Sequence, residues 1–312
     1  MADHVFGPVP SRRLGRSLGI DLVPAKTCTY DCIYCQLGRT TNSTVDRREW
    51  FPVDEVLAGV ESSLGTHPDY VTLSGSGEPT LYSELGRLIR GLKDITEVPV
   101  AVLTNGSLLG DPAVRDALAA ADLVIPSLDA GDAAIFRYVN RPNQAIGFEA
   151  MVDGLATFGR EYRGRLWLEV FLLGGVTGIQ QEVDKISEIA RRIGPERVQI
   201  NTVTRPPACE FAYPVPRRQL EIFAESFAGR AEVIADYCET HQRPEFQARS
   251  AEVVRLLRRR PCTADDIGQG LGLHRNEVVK YLQELTGRGE LGVEVVGQAV
   301  FYRARTREEG GG

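Results

Sequence analysis

The chain has 312 residues, 43% of them hydrophobic and 25% charged, an ordinary balance for a soluble globular protein with room for one large and one small domain. A formal net charge of −6 excludes a molecule that attracts nucleic acid over its whole surface, while leaving a local basic face open. The first residues lack a basic segment followed by an apolar core, and no apolar run is long enough for a bilayer, so a cytoplasmic protein without membrane contact is expected.

In chain order, residues 6–16 read Phe-Gly-Pro-Val-Pro-Ser-Arg-Arg-Leu-Gly-Arg, and their prolines and glycines rule out a regular helix. Arg12, Arg13 and Arg16 form either a substrate contact, since a guanidinium fork suits phosphate or carboxylate, or a solvated charged turn. Residues 17–23, 70–74, 98–104, 123–128, 166–173 and 198–203 read as strands. Helices are expected over 53–64, 85–92, 112–121, 148–158 and 220–227, with Asp111 as an N-cap. Ile179, Val183, Ile186, Ala190 and Ile193 fall on one face of a further helix. About six strand–helix units imply an α/β fold with a parallel sheet, and closing a full barrel would take eight. In an open or a closed form, the site belongs at the carboxyl ends of the strands.

After the first strand comes Cys28-Thr29-Tyr30-Asp31-Cys32-Ile33-Tyr34-Cys35, a C-x3-C-x2-C spacing. A [4Fe–4S] cluster normally takes four thiolates, so three leave one iron open to a ligand. A zinc site would need a fourth ligand, and His4, His67, His241 and His274 all lie away from the motif. A disulfide with a spare thiol is the other alternative. Cys209, Cys238 and Cys262 are scattered and read as buried thiols, or as ligands of an auxiliary cluster. The second strand ends in Ser74-Gly75-Ser76-Gly77-Glu78-Pro79-Thr80, where glycines let backbone approach a ligand and Glu78 can accept from an ammonium group. The third ends in Asn105-Gly106 and the fourth in Ser127-Leu128-Asp129, which are otherwise a turn and an N-cap. Glu169 interrupts an apolar strand, so it should be paired or line a cavity, and Asn201 ends the sixth strand as a substrate candidate.

The cysteine spacing with Tyr34 before the last cysteine, together with Gly75-Ser76-Gly77-Glu78-Pro79, resembles the radical S-adenosylmethionine (SAM) superfamily over roughly the first three-quarters of the chain. Ser76 stands where that family's loop usually has a glycine, and Leu173-Gly174-Gly175-Val176 matches its adenine motif only loosely. The resemblance implies a partial (β/α)6 barrel, with Cys28, Cys32 and Cys35 holding a [4Fe–4S] cluster. It also implies SAM held near Tyr34, Gly75, Ser76, Gly77, Glu78, Asn105, Ser127 and Asp129. The activity implied is reductive cleavage of SAM to a 5′-deoxyadenosyl radical that abstracts hydrogen from a second substrate. An electron donor such as flavodoxin or ferredoxin would serve it. Arg12, Arg13, Glu169 and Asn201 are the candidate substrate contacts. Pro10-Ser11-Arg12-Arg13 and Gln36-Leu37-Gly38 look closest to the wyosine-synthase-like Fe–S oxidoreductases, but the first 27 residues lack the extra cysteines that branch often carries. The substrate is therefore tRNA or another nucleic acid, or alternatively a peptide or small metabolite.

Residues 241–250 read as a polar linker between a barrel over 1–240 and a small domain over 251–307, followed by a disordered tail over 308–312. Three helices and a hairpin turning at Gly297-Gln298 resemble a winged helix-turn-helix domain, with Thr263 and Asp266 capping the second helix. Arg275, Asn276, Lys280 and Gln283 would be exposed readers of a major groove, although eleven basic against nine acidic residues over 247–312 is a weak charge for phosphate binding. A protein contact is the alternative role for this domain. An iron–sulfur-sensing DNA-binding regulator is the competing reading for the whole chain.

Overall fold

The computed structural model describes residues 4–205, 207–235, 244–258, 260–296 and 299–305. The chain opens with strand β1 (Val5–Ser11), paired antiparallel to β2 (Gly15–Ile20) with a register shift between Phe6 and Val9. The residues that exclude a helix there thus form an edge strand, the one place in a sheet where proline costs no ladder bond. Short strands β3 (Thr27–Cys28) and β4 (Asn42–Ser43) pair across the cysteine loop. Then follow α1 (Val53–Ser63), β5 (Tyr70–Leu73), α2 (Leu85–Ile95), β6 (Val100–Thr104), α3 (Pro112–Leu118) and β7 (Leu123–Pro126). Next come α4 (Ala133–Val139), α5 (Phe148–Glu161), β8 (Arg165–Leu172), α6 (Gln180–Ile193), β9 (Arg197–Thr202), α7 (Arg217–Ala224) and β10 (Ala231–Val233).

The main sheet runs β1-β2-β5-β6-β7-β8-β9-β10, and every pair after the first is parallel. All six predicted strands are present, with β1 and β10 added at the two edges. The fold is mixed α/β with a parallel sheet, as a partial barrel requires. Arg12, in the β1–β2 turn, donates to the Ile234 carbonyl just past β10 at 3.0 Å and to Asn201 Oδ1 on β9 at 3.2 Å. One side chain therefore joins the two ends of the strand order.

The helices earn their place by pattern. On α2, Leu85, Leu88, Ile89 and Leu92 follow the i, i+3, i+4, i+7 spacing, and each is fully buried against the sheet. Each such side chain contributes about 1.5–3 kcal/mol. On α6 the predicted face is buried at Val183, Ile186, Ala190 and Ile193, while Ile179 is the exposed N-cap residue.

The C-terminal unit comprises α8 (Pro244–Leu257), α9 (Ala264–Leu271), α10 (Arg275–Gly287) and an antiparallel pair, β11 (Leu291–Val296) and β12 (Ala299–Ala304). Helix α8 takes in most of the stretch read as a linker. The expected turn at Gly297-Gln298, Cys238 and the tail over 308–312 lie outside the described residues. The unit has its own core, built from Val253, Leu257, Ile267, Val278, Leu282, Leu285, Leu291 and Tyr302, and Thr263 and Asp266 form a capping box. It sits against the barrel mouth. His274 stacks on Phe6 at 4.2 Å, its Nε2 lies 2.5 Å from Asp21 Oδ2, and Gln283 Nε2 donates to Thr204 Oγ1 at 3.1 Å. No helix among the described residues is long and apolar enough to cross a membrane.

Candidate active site

The cysteine loop is fastened by backbone bonds to the end of α4. Ile33 N donates to the Val139 carbonyl at 2.9 Å, Asp31 N to the Asn140 carbonyl at 3.0 Å, and Ile33 itself is fully buried. The loop turns on bonds from Cys35 N to the Cys32 carbonyl and from Gly38 N to the Cys35 carbonyl, both 3.1 Å. Two asparagine amides point at sulfur: Asn105 Nδ2 lies 3.6 Å from Cys28 Sγ and Asn140 Nδ2 lies 3.5 Å from Cys32 Sγ. Burial, followed by the charge of Glu78, pushes the Cys28 thiol up to about 12, and burial also raises Cys32 and Cys35. Such thiols lose their protons only to a nearby positive charge, which a bound metal supplies. Among the described residues no three His, Cys, Asp or Glu side chains converge as the ligands of one metal ion would. In a [4Fe–4S] cluster each thiolate serves a different iron, so its ligands need not converge on one point. Three cysteines on one short loop, with amide donors at two of the sulfurs, fit that group.

Tyr34 stacks on Phe171 of β8 at 4.0 Å and donates its hydroxyl to Asp129 Oδ2. Asp129 also accepts from Asn140 Nδ2 at 2.8 Å and from Phe171 N at 3.1 Å. Burial raises the Asp129 carboxyl to about 6, with Glu169 adding to the rise and the Tyr34 and Asn140 hydrogen bonds opposing it. Asp129, expected to face a cofactor, thus has both oxygens engaged by the protein and ties the cysteine loop to α4 and β8.

Glu78 is likewise engaged by the protein. Its Oε1 accepts from Thr80 N at 3.0 Å, Thr80 Oγ1 at 2.6 Å and Thr104 Oγ1 at 2.6 Å, and its Oε2 from Asn105 N at 2.7 Å. Burial raises its carboxyl and these four bonds oppose the rise. The carboxylate clasps the end of β5 to the end of β6. Gly75 is required by its φ of +131° and by Asp21, whose Oδ1 would lie 1.6 Å from an added Cβ. That carboxylate accepts from Ser76 N at 2.6 Å and Ser76 Oγ at 3.1 Å. The glycine there makes room for a protein carboxylate as well as for any ligand.

Glu169 is paired, as a charge in an apolar strand must be. Arg13 grips it with two bonds, Nη1 to Oε2 at 2.9 Å and Nη2 to Oε1 at 3.2 Å, and Asn201 Nδ2 adds a third at 3.0 Å. Burial alone would raise this carboxyl, but Arg13, Asn201 and Arg12 together hold it below the usual range.

A cavity of about 360 Å³, within the range of ligand sites, opens at the strand ends. Its lining includes Cys32, Tyr34 and Cys35 from the loop, Gly75, Gly77 and Ser127 from strand ends, Arg12 and Arg13 from the β1–β2 turn, and Glu169 and Asn201 from β8 and β9. Cys28, Ser76, Glu78, Asn105 and Asp129 are not part of that lining. Reading the sequence missed Asn140, Thr29 and Asp21, and gave Lys280 a different role. Thr29 accepts from Asn105 Nδ2 at 2.7 Å, and Lys280 lines the cavity from α10. The expectation that α10 exposes its polar residues fails at two positions: Lys280 lines the cavity, and Gln283 bonds Thr204 and accepts from Arg205, whereas Arg275 pairs with Asp265 at 2.7 Å on the surface of its own unit. The Asn276 side chain lies outside the described residues.

A parallel sheet with a three-cysteine loop, two of whose cysteines line the ligand cavity at the strand ends, defines a class, and the sequence agrees. The chain belongs to the radical SAM superfamily, whose sequence model matches residues 22–182. Among its relatives, the UPF0026 protein of Helicobacter pylori strain J99 is 32% identical over 96% of this chain and 97% of that protein. A protein named GTPase Obg from Brachyspira hyodysenteriae is 39% identical over 96% of this chain, which spans only 45% of that protein. The structure of Streptococcus suis SuiB bound to S-adenosylmethionine shares the fold at a TM-score of 0.53 and 13% identity, covering 73% of this chain and 52% of that one.

Proposed function

We propose that this protein is a radical SAM enzyme. The observation that carries the reading is that Cys32 and Cys35 open onto the same cavity as the strand-end residues, in a chain of this superfamily. Cys28, Cys32 and Cys35 would hold a [4Fe–4S] cluster with one iron left for SAM. When bound, that cluster supplies the electron that breaks a carbon–sulfur bond of SAM, with flavodoxin or ferredoxin as the external donor. The chain's own part is to position and to exclude water. Tyr34, locked by Phe171 and Asp129, fixes the loop beside the cavity. Gly75, Gly77 and Ser127 border the space for SAM. Glu78, Asp129 and Asn105 hold the strand ends and the sulfur donors in register. Arg12, Arg13, Glu169 and Asn201 form the wall against the second substrate.

We further read the chain as a cytoplasmic, wyosine-synthase-like member with a C-terminal winged-helix unit. That unit serves as a contact over the site, because two of the α10 side chains that would read a major groove, Lys280 and Gln283, are turned to the barrel. The same engagement argues against a DNA-binding regulator. Anaerobically reconstituted protein should take up about four irons and four sulfides per chain and, when reduced with SAM, release 5′-deoxyadenosine. Cys28→Ala, Cys32→Ala or Cys35→Ala should each abolish both signals. Retention of SAM without cleavage, alongside salt-sensitive DNA binding, would overturn the reading.

A further inference from the structure

Lys280 is the cavity residue that the reading above does not use. It comes from the C-terminal unit, not the barrel, and it is half-buried. Two contacts bracket it. His274, just before α10, stacks on Phe6 and meets Asp21, while Gln283, one turn after it, bonds Thr204. Its ammonium therefore sits at a fixed place over the strand ends. Among the described residues no acceptor pairs with it. Its charged neighbours are Arg205, Arg12 and Arg13, with Glu277 as the opposing charge on its own helix, and Glu169 in the same cavity is already gripped by Arg13. Burial and then those guanidiniums press its pKa well below the ordinary lysine value. A buried ammonium facing three guanidiniums is costly by itself, and it becomes favourable only when an anion arrives.

We propose that Lys280 is a substrate-binding residue and that, with Arg12 and Arg205, it receives a phosphate group of the second substrate. Several donors converge from different elements, and the oxygens of a phosphate can bond an ammonium and planar guanidiniums together. The C-terminal unit is then part of the active site, and a phosphorylated substrate is held between α10 and the barrel. The inference names the substrate class of the site proposed above and rests on that reading for what the bound molecule is used for.

The test is calorimetric binding of pyrophosphate, with citrate as the carboxylate control, to the full chain as purified and after anaerobic reconstitution with SAM. Lys280→Met and Lys280→Gln should each weaken pyrophosphate binding about tenfold or more, the range expected for losing one charged hydrogen bond. Lys280→Arg should restore most of it, and SAM affinity should stay within about twofold, well under one hydrogen bond's worth. Thermal melting of each variant separates loss of binding from loss of folding. Unchanged pyrophosphate binding in folded Lys280→Met overturns the assignment. So does equal or tighter binding of citrate, or a matching loss of SAM affinity. Failure of 5′-deoxyadenosine release while phosphate binding persists counts against the enzyme reading alone.

Discussion

Glu78→Gln separates a ligand group from a structural clasp. The wild-type carboxylate takes four donors inside the fold. Glutamine keeps a single carbonyl oxygen. If that oxygen serves Thr80 and Thr104, the new NH2 faces Asn105 N–H across the place of a 2.7 Å bond. One charge-assisted bond is lost, about 1.5–3 kcal/mol, and a buried N–H is orphaned. The reverse placement loses three donors and costs more. Removing a buried carboxylate, whose protonation burial already favours, returns part of this. The net loss should be about 2 kcal/mol, or roughly 4–8 °C in melting temperature by the scaling for domains of this size. The assay is thermal or urea unfolding of the chain without metal or SAM. An unchanged melt together with a tenfold fall in SAM affinity would refute the reasoning and make Glu78 a direct ligand of the cofactor.

Other perturbations follow from the same geometry. Asn140→Ala removes the donor to Cys32 Sγ and to Asp129; it should lower the reconstituted cluster's reduction potential in a redox titration and cost about 1–2 kcal/mol in unfolding. Asp122→Asn loses the 2.5 Å bridge to Lys93, which after solvent screening should cost under about 1 kcal/mol. Burial is the largest single influence on Asp122 and would raise it, but Lys93, Val100 N and Arg165 together hold it below its ordinary value, so its contribution is full above a pH of about 4. It fades as pH falls through the folded value, so wild type and variant should converge in acid unfolding. Arg12→Ala should raise hydrogen exchange across residues 231–234 by the equivalent of about 1–2 kcal/mol, leaving exchange in β6 unchanged.

The cysteine loop and the strand ends were readable because their chemistry is local: spacing, glycines and a charge inside an apolar strand. The six central strands announced themselves as apolar runs. Strand β1 did not, since Gly7, Pro8 and Pro10 mimic a loop in sequence, and β10 is too short at three residues. The partners of Cys32 were hidden for another reason. Asn140 lies 108 residues away, and only the fold brings it to the sulfur. Glu78 and Asp129 were recognised as site residues, but their orientation was not, because a sequence does not say which donors a carboxylate will meet first. On α10 the apolar stripe of Val278, Leu282 and Leu285 was clear. The polar stripe is ambiguous in principle, since a lysine turned to water and one turned to a charged cavity look alike.

The Arg12 bond reaches 222 residues along the chain to Ile234. During synthesis this latch cannot engage until about three-quarters of the polypeptide has left the ribosome. Until then the cysteine loop, already made, stands beside an unsealed seam. A cluster held by that loop would then have an open route in during synthesis, and nascent chains arrested before and after residue 234 should differ in how readily they accept iron and sulfide.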